Sequence, residues 1–209
     1  LLQTLSGIAP TGRVSADPIA RTVRQAAAPG WAPHPRCLIV ATDYASGKRV
    51  VFGEAGAPEA DLAEAVAASC AIPGFFEPVL INGRRYVDGG LHSLCNVDLL
   101  DADDLDVVIC FSAMTSHVVQ RHAAPLERAV HSLFGLGAEQ LDRHADALAR
   151  RGVDVIVVEP SLKDHAAMGV NLMDPRRWGA VLESALSSVA GQLRRRHLRS
   201  RLRVFHTAA

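Results

Sequence analysis

Apolar positions along the chain change their period several times, and each change marks an element. Ile19, Val23 and Ala27 recur every four residues behind Asp17-Pro18, which predicts a short helix capped by Asp17, with Pro18 at its first position and Pro29-Gly30 as its stop. Residues 37–42 (CLIVAT) and 50–52 are short β-rich runs. The intervening 43–48 (DYASGK) has the composition of a hairpin loop. Pro58 is expected to open a second helix that carries Leu62, Ala65, Val66 and Ser69 along one side and stops before Pro73-Gly74. Glu59, Asp61 and Glu64 lie near its positive N-terminal end. Asn82-Gly83 between 75–81 and 84–87 is the strongest two-residue signal for a β-hairpin.

The second half of the chain reads differently. Residues 107–113 (VVICFSA) and 153–158 (VDVIVV) are nearly continuous apolar runs, a pattern of strands covered on both faces in a parallel sheet. Leu126, Val130, Leu133, Phe134, Leu141 and Leu148 between them have helical spacing, long enough for a right-handed βαβ crossover. Asp174-Pro175 then caps a last helix, whose apolar stripe runs through Trp178, Val181, Leu182, Ala185, Leu186, Val189 and Leu193. The expected class is α/β, with at least one antiparallel hairpin attached to a mostly parallel sheet.

Composition narrows the class of function. With 209 residues, 49% hydrophobic and 21% charged, the chain can bury a core without disulfides or metal, and one domain over 1–209 is expected. Lys+Arg 22 balances Asp+Glu 22, so no global charge favours nucleic acid. No window approaches the roughly 18 apolar residues of a membrane span. Residues 1–20 have neither the basic start nor the apolar centre of a signal peptide, and the opening Leu1 suggests a chain cut from something longer. Cys37, Cys70, Cys95 and Cys110 lack C-x-x-C spacing and read as buried free thiols of a reducing compartment, the cytoplasm.

Several motifs carry no chemistry. Gly135-x-Gly137 lacks a third glycine and lies in a helical pattern. Asp98, Asp101, Asp103, Asp104 and Asp106 miss the glycine and closing glutamate of a calcium loop and read as a solvated acidic loop. The nine histidines are scattered singly, with no zinc helix among them. Arg194, Arg195, Arg196, Arg199, Arg201 and Arg203 form a basic tail that reads first as a solvated face, with anionic lipid as its alternative partner. Asp88 is different. It follows a short strand and precedes Gly89-Gly90, and strand ends of α/β sheets are where sites are built. Asp-Gly-Gly also closes ordinary Asx turns, and spacing alone leaves both readings open.

The run from Ser69 to Asn96 resembles the patatin-like phospholipase family. A helix ends in ASCAIP, FFEPV follows as a strand, and GRRYVDGG leads to a downstream Asn96. The Ala41-Thr42-Asp43 … Ser46-Gly47 … Phe52 hairpin resembles the family's pattern before that helix. The resemblance implies a central, mostly parallel sheet wrapped by helices and a Ser–Asp dyad that hydrolyses lipid acyl esters without metal or cofactor. The dyad acid maps onto Asp88, with Gly89 and Gly90 shaping its turn. His92 is kept as a weaker alternative base. Lipid at a membrane surface, met peripherally, is the implied partner.

One part of the family pattern is missing. No G-x-S-x-G occurs anywhere, and Ser6, Ser46 and Ser93 all fail it. The nucleophile is therefore expected outside this chain, which reads as the distal part of a patatin-like domain, incomplete at its N-terminal side. The competing reading is a catalytically silent domain of the same kind that binds lipid or protein.

Overall fold

The computed structural model describes residues 11–117, 125–169, 171–172 and 174–194. The chain forms two compact units, Leu1–Asn96 and Val97–Ala209. Among the described residues they hold five α-helices and six strands, a mixed α/β composition.

In the first unit, strands β1 (Ile39–Asp43), β2 (Arg49–Phe52), β3 (Val79–Ile81) and β4 (Arg84–Asp88) form one sheet in the order β2-β1-β4-β3. Every neighbouring pair is antiparallel. The expectation of a mostly parallel sheet fails here for a reason of chain length. Parallel neighbours need a crossover of a dozen or more residues, whereas β1–β2 and β3–β4 are joined by short loops. Asn82 and Gly83 both have positive φ (49° and 77°), which is what the tight hairpin turn requires. The first hairpin loop closes on Asp43, whose Oδ1 accepts from the Ser46 amide and hydroxyl, both at 2.8 Å.

Helix α1 (Asp17–Ala26) carries Asp17 in its first turn, not as its cap, which is Ala16. Helix α2 (Leu62–Ser69) begins later than Pro58 suggests. Asp61 and Glu64 form a reciprocal capping box, with the Glu64 amide 2.6 Å from Asp61 Oδ1 and the Asp61 amide 3.2 Å from Glu64 Oε2. The residues that α2 buries are Ala63, Ala65, Ala67 and Ala68. Small side chains let the helix backbone lie close to the sheet, where Ala65 and Ala68 join Ala41, Phe52, Ile81 and Tyr86 in one core cluster. Phe52 and Tyr86 meet edge to face with centroids 5.2 Å apart. The strand expected over 75–81 is only β3, because Pro73-Gly74 turns the chain and Pro78 supplies no ladder donor. Phe76 instead makes an isolated parallel bridge with Val14.

In the second unit, β5 (Val107–Phe111) and β6 (Asp154–Val158) pair in parallel, from Val107↔Asp154 to Phe111↔Val158. The 26-residue helix α3 (Pro125–Arg150) is the crossover between them, as the spacing predicts. It buries Phe134, Leu141 and Leu148, while the side chains of Leu126, Val130 and Leu133 lie outside the described residues. Gly135 and Gly137 fall within α3. β5 is not covered on both faces: Val108 and Cys110 are buried, but Phe111 is 64% exposed. Its outer face carries Ile109 and Phe111 without a layer over it among the described residues.

Polar groups tie this unit together. Arg151 bridges Asp101 (3.0 Å) and Asp103 (2.7 Å), so these two carboxylates of the acidic loop have a guanidinium partner. His117 lies between Asp142 of α3 (2.8 Å) and Glu159 beyond β6 (2.9 Å). Two carboxylates accepting from both ring nitrogens require the imidazolium, and these bonds, Asp142's first, raise its pKa. Short helix α4 (Leu162–Met168) leads, through a 3-10 turn capped by Asp174, into α5 (Trp178–Leu193). Of the basic tail, only Arg194 lies within the described residues. No described helix is long and apolar enough to cross a membrane.

The capping box makes α2 sensitive to one carboxylate. Asp61→Ala is expected to lower stability by about 1 kcal/mol, since it removes the cap acceptor. Urea unfolding checks this: a fall in midpoint with unchanged slope is the expected result.

Candidate active site around Asp88

Asp88 ends β4 opposite Ala41 of β1, and its backbone is held on both sides. Its amide donates to the Ala71 carbonyl just beyond α2 (3.0 Å). Its own carbonyl accepts the hydroxyl of Thr42, a fully buried side chain, at 3.0 Å. The chain then enters a 3-10 turn over Gly89–Leu91. A Cβ on Gly89 would sit 2.4 Å from the Val40 carbonyl oxygen, so only glycine lets the turn lie against β1. A Cβ on Gly90 would lie 2.9 Å from Asp88 Oδ1. With no side chain there, the Gly90 amide donates to that oxygen at 2.6 Å.

That last bond is an Asx turn, so the structural reading of Asp-Gly-Gly is realised. The turn does not exhaust the carboxylate, because the one hydrogen bond it receives among the described residues falls on Oδ1. Burial raises the Asp88 pKa and the Gly90 amide offsets this only in part. Cys70 lies close enough to feel the charge: burial first, and then the Asp88 carboxylate, push its thiol up. The thiol is thereby kept protonated and is a poor nucleophile. Cys70 is the exposed one of the four cysteines, which corrects the expectation of four buried thiols; Cys110 is buried, and Cys37 and Cys95 are half-buried.

Two other aspartates provide the contrast. Burial would raise Asp43, but the Ser46 amide and hydroxyl and then Arg84 at 3.5 Å leave it lowered. Asp164 is also buried, yet the Ser184 and Ser188 hydroxyls, together with the Ser161 cap, bring it down to about 2. Ser184 Oγ is 2.5 Å from Asp164 Oδ1. Both pairs bring a serine onto a carboxylate, but a carboxylate so stabilised is a weak base, and the geometry is that of turns and caps. Asp88 is shifted the other way.

The remaining sequence candidates separate clearly. Gly89 and Gly90 lie beside Asp88 and shape its surroundings. His92 follows the same turn, but its Nε2–H donates to the Gly47 carbonyl at 3.0 Å and so faces the β1–β2 loop. Ser46 is committed to Asp43, and buried Ser93 accepts the Asn96 amide (3.0 Å). Asn96 has positive φ (48°) and receives Arg49 at 3.3 Å, which closes the segment. Ser6 lies outside the described residues. Sequence reasoning missed Thr42 and Ala71 as the backbone supports of Asp88, although both lie in the quoted ATD and ASCAIP runs.

Residues 9–101 match the family model described as Patatin-like phospholipase. The match spans a little under half of the chain and takes in the whole antiparallel sheet, α2 and the Asp88 turn.

Two measurements test the site physically. An acid whose folded pKa exceeds its unfolded value binds its proton more tightly when folded. Below the unfolded value both states are protonated; as pH rises through the window between the two values, stability falls, and it levels off once the folded carboxyl has ionised. Asp88→Asn removes that loss, so the variant should melt higher than the parent at pH 7 and equal to it near about pH 3. Equal midpoints at both pH values would show that the carboxylate is not desolvated. Gly89→Ala forces the Val40 backbone to move and should cost about 1–3 kcal/mol. Gly90→Ala meets a rotatable carboxylate and should cost clearly less in the same unfolding assay.

Proposed function

We propose that this chain supplies the base of a serine lipid acyl hydrolase and that Asp88 is that base. One observation carries the reading: within the family-matched segment Asp88 is raised by burial, while the serine-paired Asp43 of the same segment, and Asp164 beyond it, are lowered. An unperturbed Asp, with pKa about 3.9, is a feeble base near neutrality, and desolvation moves it toward the useful range. In the reaction, a serine Oγ attacks the ester carbonyl carbon and passes its proton to Oδ2 of Asp88. The tetrahedral intermediate collapses, the alcohol leaves with that proton, and acyl-serine remains. Water then attacks, Asp88 takes its proton, and the fatty acid departs as the proton returns to serine. Atoms balance with serine, carboxylate and water alone.

The serine has to come from outside the 209 residues, because none of them lies in G-x-S-x-G. On this reading 1–209 forms one patatin-like domain completed by that element. A substrate met at a membrane surface fits the exposed Trp178, Leu182 and Leu186 on α5 and the arginines that follow it. The same missing motif favours a second reading, a silent domain that binds lipid or protein.

The test uses a short p-nitrophenyl ester and the protein that carries the serine. Asp88→Asn should lower turnover by at least about 10²-fold and as much as about 10⁴-fold, the usual contribution of a general base. Near-parental turnover would move the role elsewhere, with His92 the next residue to replace. The chain 1–209 by itself should show no labelling by a fluorophosphonate probe, since an activated serine is needed. Stoichiometric labelling of any of its serines would place the nucleophile inside it.

A further inference from the structure

Asp88 is a strand residue whose main-chain bonds leave the ladder. Its amide donates to the Ala71 carbonyl beyond α2, and its carbonyl accepts a side-chain hydroxyl, that of Thr42, both at 3.0 Å. Thr42 lies on β1 opposite Val87, one position along from the Ala41–Asp88 pair. Its side chain is fully buried, so bulk water does not compete for the hydroxyl hydrogen. A β-branched side chain is also restricted at χ1, which keeps the hydroxyl aimed at its acceptor.

That hydroxyl fixes the peptide plane between Asp88 and Gly89. Two glycines follow, the residues with the widest choice of backbone angles. Yet the turn has to bring the Gly90 amide to 2.6 Å from Asp88 Oδ1. The close contact of Gly89 with the Val40 carbonyl sets how near the turn lies to β1. Rotation of the plane is set by a directional bond, and Thr42 supplies one. Turning the plane would swing the Gly90 amide off Oδ1 and free the carboxylate to rotate.

We infer that Thr42 is a positioning residue for the Asp88 carboxylate: through the Asp88 carbonyl and the Gly89-Gly90 turn, its hydroxyl holds Oδ1 on the Gly90 amide and leaves Oδ2 for the reacting proton. The inference rests on the reading of Asp88 as the base. Thr42, being fully buried, acts through Asp88 and touches no reacting atom. The Gly90 amide also opposes the upward push of burial, so its loss moves the Asp88 pKa further up.

Two substitutions separate positioning from packing. Thr42→Val keeps the shape and removes the hydroxyl; Thr42→Ser keeps the hydroxyl and removes the methyl. Packing ranks Val above Ser, and positioning ranks Ser above Val. In the protein that carries the serine, with a short p-nitrophenyl ester, Thr42→Val should lower kcat by about 10- to 100-fold with KM within about twofold, and its acid limb should move to higher pH. Thr42→Ser should stay within about threefold of the parent. In the chain 1–209, proton–nitrogen NMR follows the Gly90 amide as Asp88 titrates. The amide should respond in the parent and in Thr42→Ser, and lose most of that response in Thr42→Val. Parental kcat in Thr42→Val, equal losses in both variants, or an undiminished Gly90 response in Thr42→Val each overturns the inference. If Thr42→Val does not fold, Thr42→Ser decides: loss of its turnover or of its Gly90 response overturns the inference, and retention of both upholds it. Parental turnover in Asp88→Asn removes the base alone, and the Gly90 response still decides what Thr42 holds.

Discussion

The closeness of the Asp88–Gly90 turn to the β1 backbone governs the candidate site. A carbonyl oxygen, that of Val40, occupies the place a side chain at 89 would need. The same small-residue principle continues outward, since Ala41, Ala65, Ala68 and Ala71 are all fully buried where β1, α2 and the turn converge. Larger side chains there would push the layers apart and let water reach the carboxylate. Asp88 is thus desolvated by backbone and methyl groups, which offer it few hydrogen bonds. This accounts for a pKa that moves up at a position where an Asx turn by itself would move it down.

Asp43 and Asp164 show how little residue type decides. Both are buried residues, and both have a serine hydroxyl in contact. A serine next to an aspartate would satisfy a search for a Ser–Asp pair, yet the hydroxyl and amide donors that fix these carboxylates also remove their basicity. They stabilise a hairpin loop and a helix start. Asp88 has the opposite balance: burial outweighs the single amide donor of Gly90 and raises its pKa.

Local chemistry was the most legible part of the sequence. Asn82-Gly83 announces its turn because only residues tolerant of positive φ fit there, and the long crossover helix follows from its period. Boundaries were less legible. Pro58 suggested a helix start that Asp61 and Glu64 decide instead, and Pro78 shortens a strand whose composition is otherwise β-like. Sheet direction was misjudged because the apolar runs at 107–113 and 153–158 were extended to the whole sheet, whereas short loops had already imposed antiparallel pairing on 39–88. For the site, Asp88, Gly89 and Gly90 stood out through the family resemblance. Cys70 and Thr42 did not, since their roles depend on contacts across α2 and β1 that no spacing encodes.

The two units secure their positions by different means. Around Asp88 the holding bonds are largely backbone bonds, set by strand register and by the absence of side chains at 89 and 90. In the second unit, side chains take that part: His117 joins α3 to the end of β6, Arg151 gathers the acidic loop, and Asp164 and Gln192 pin α5. Side-chain pins leave apolar surface between them exposed, as Phe111 shows. A continuous apolar run in sequence therefore records a demand for apolar partners, and among the described residues β5 meets that demand on one face only.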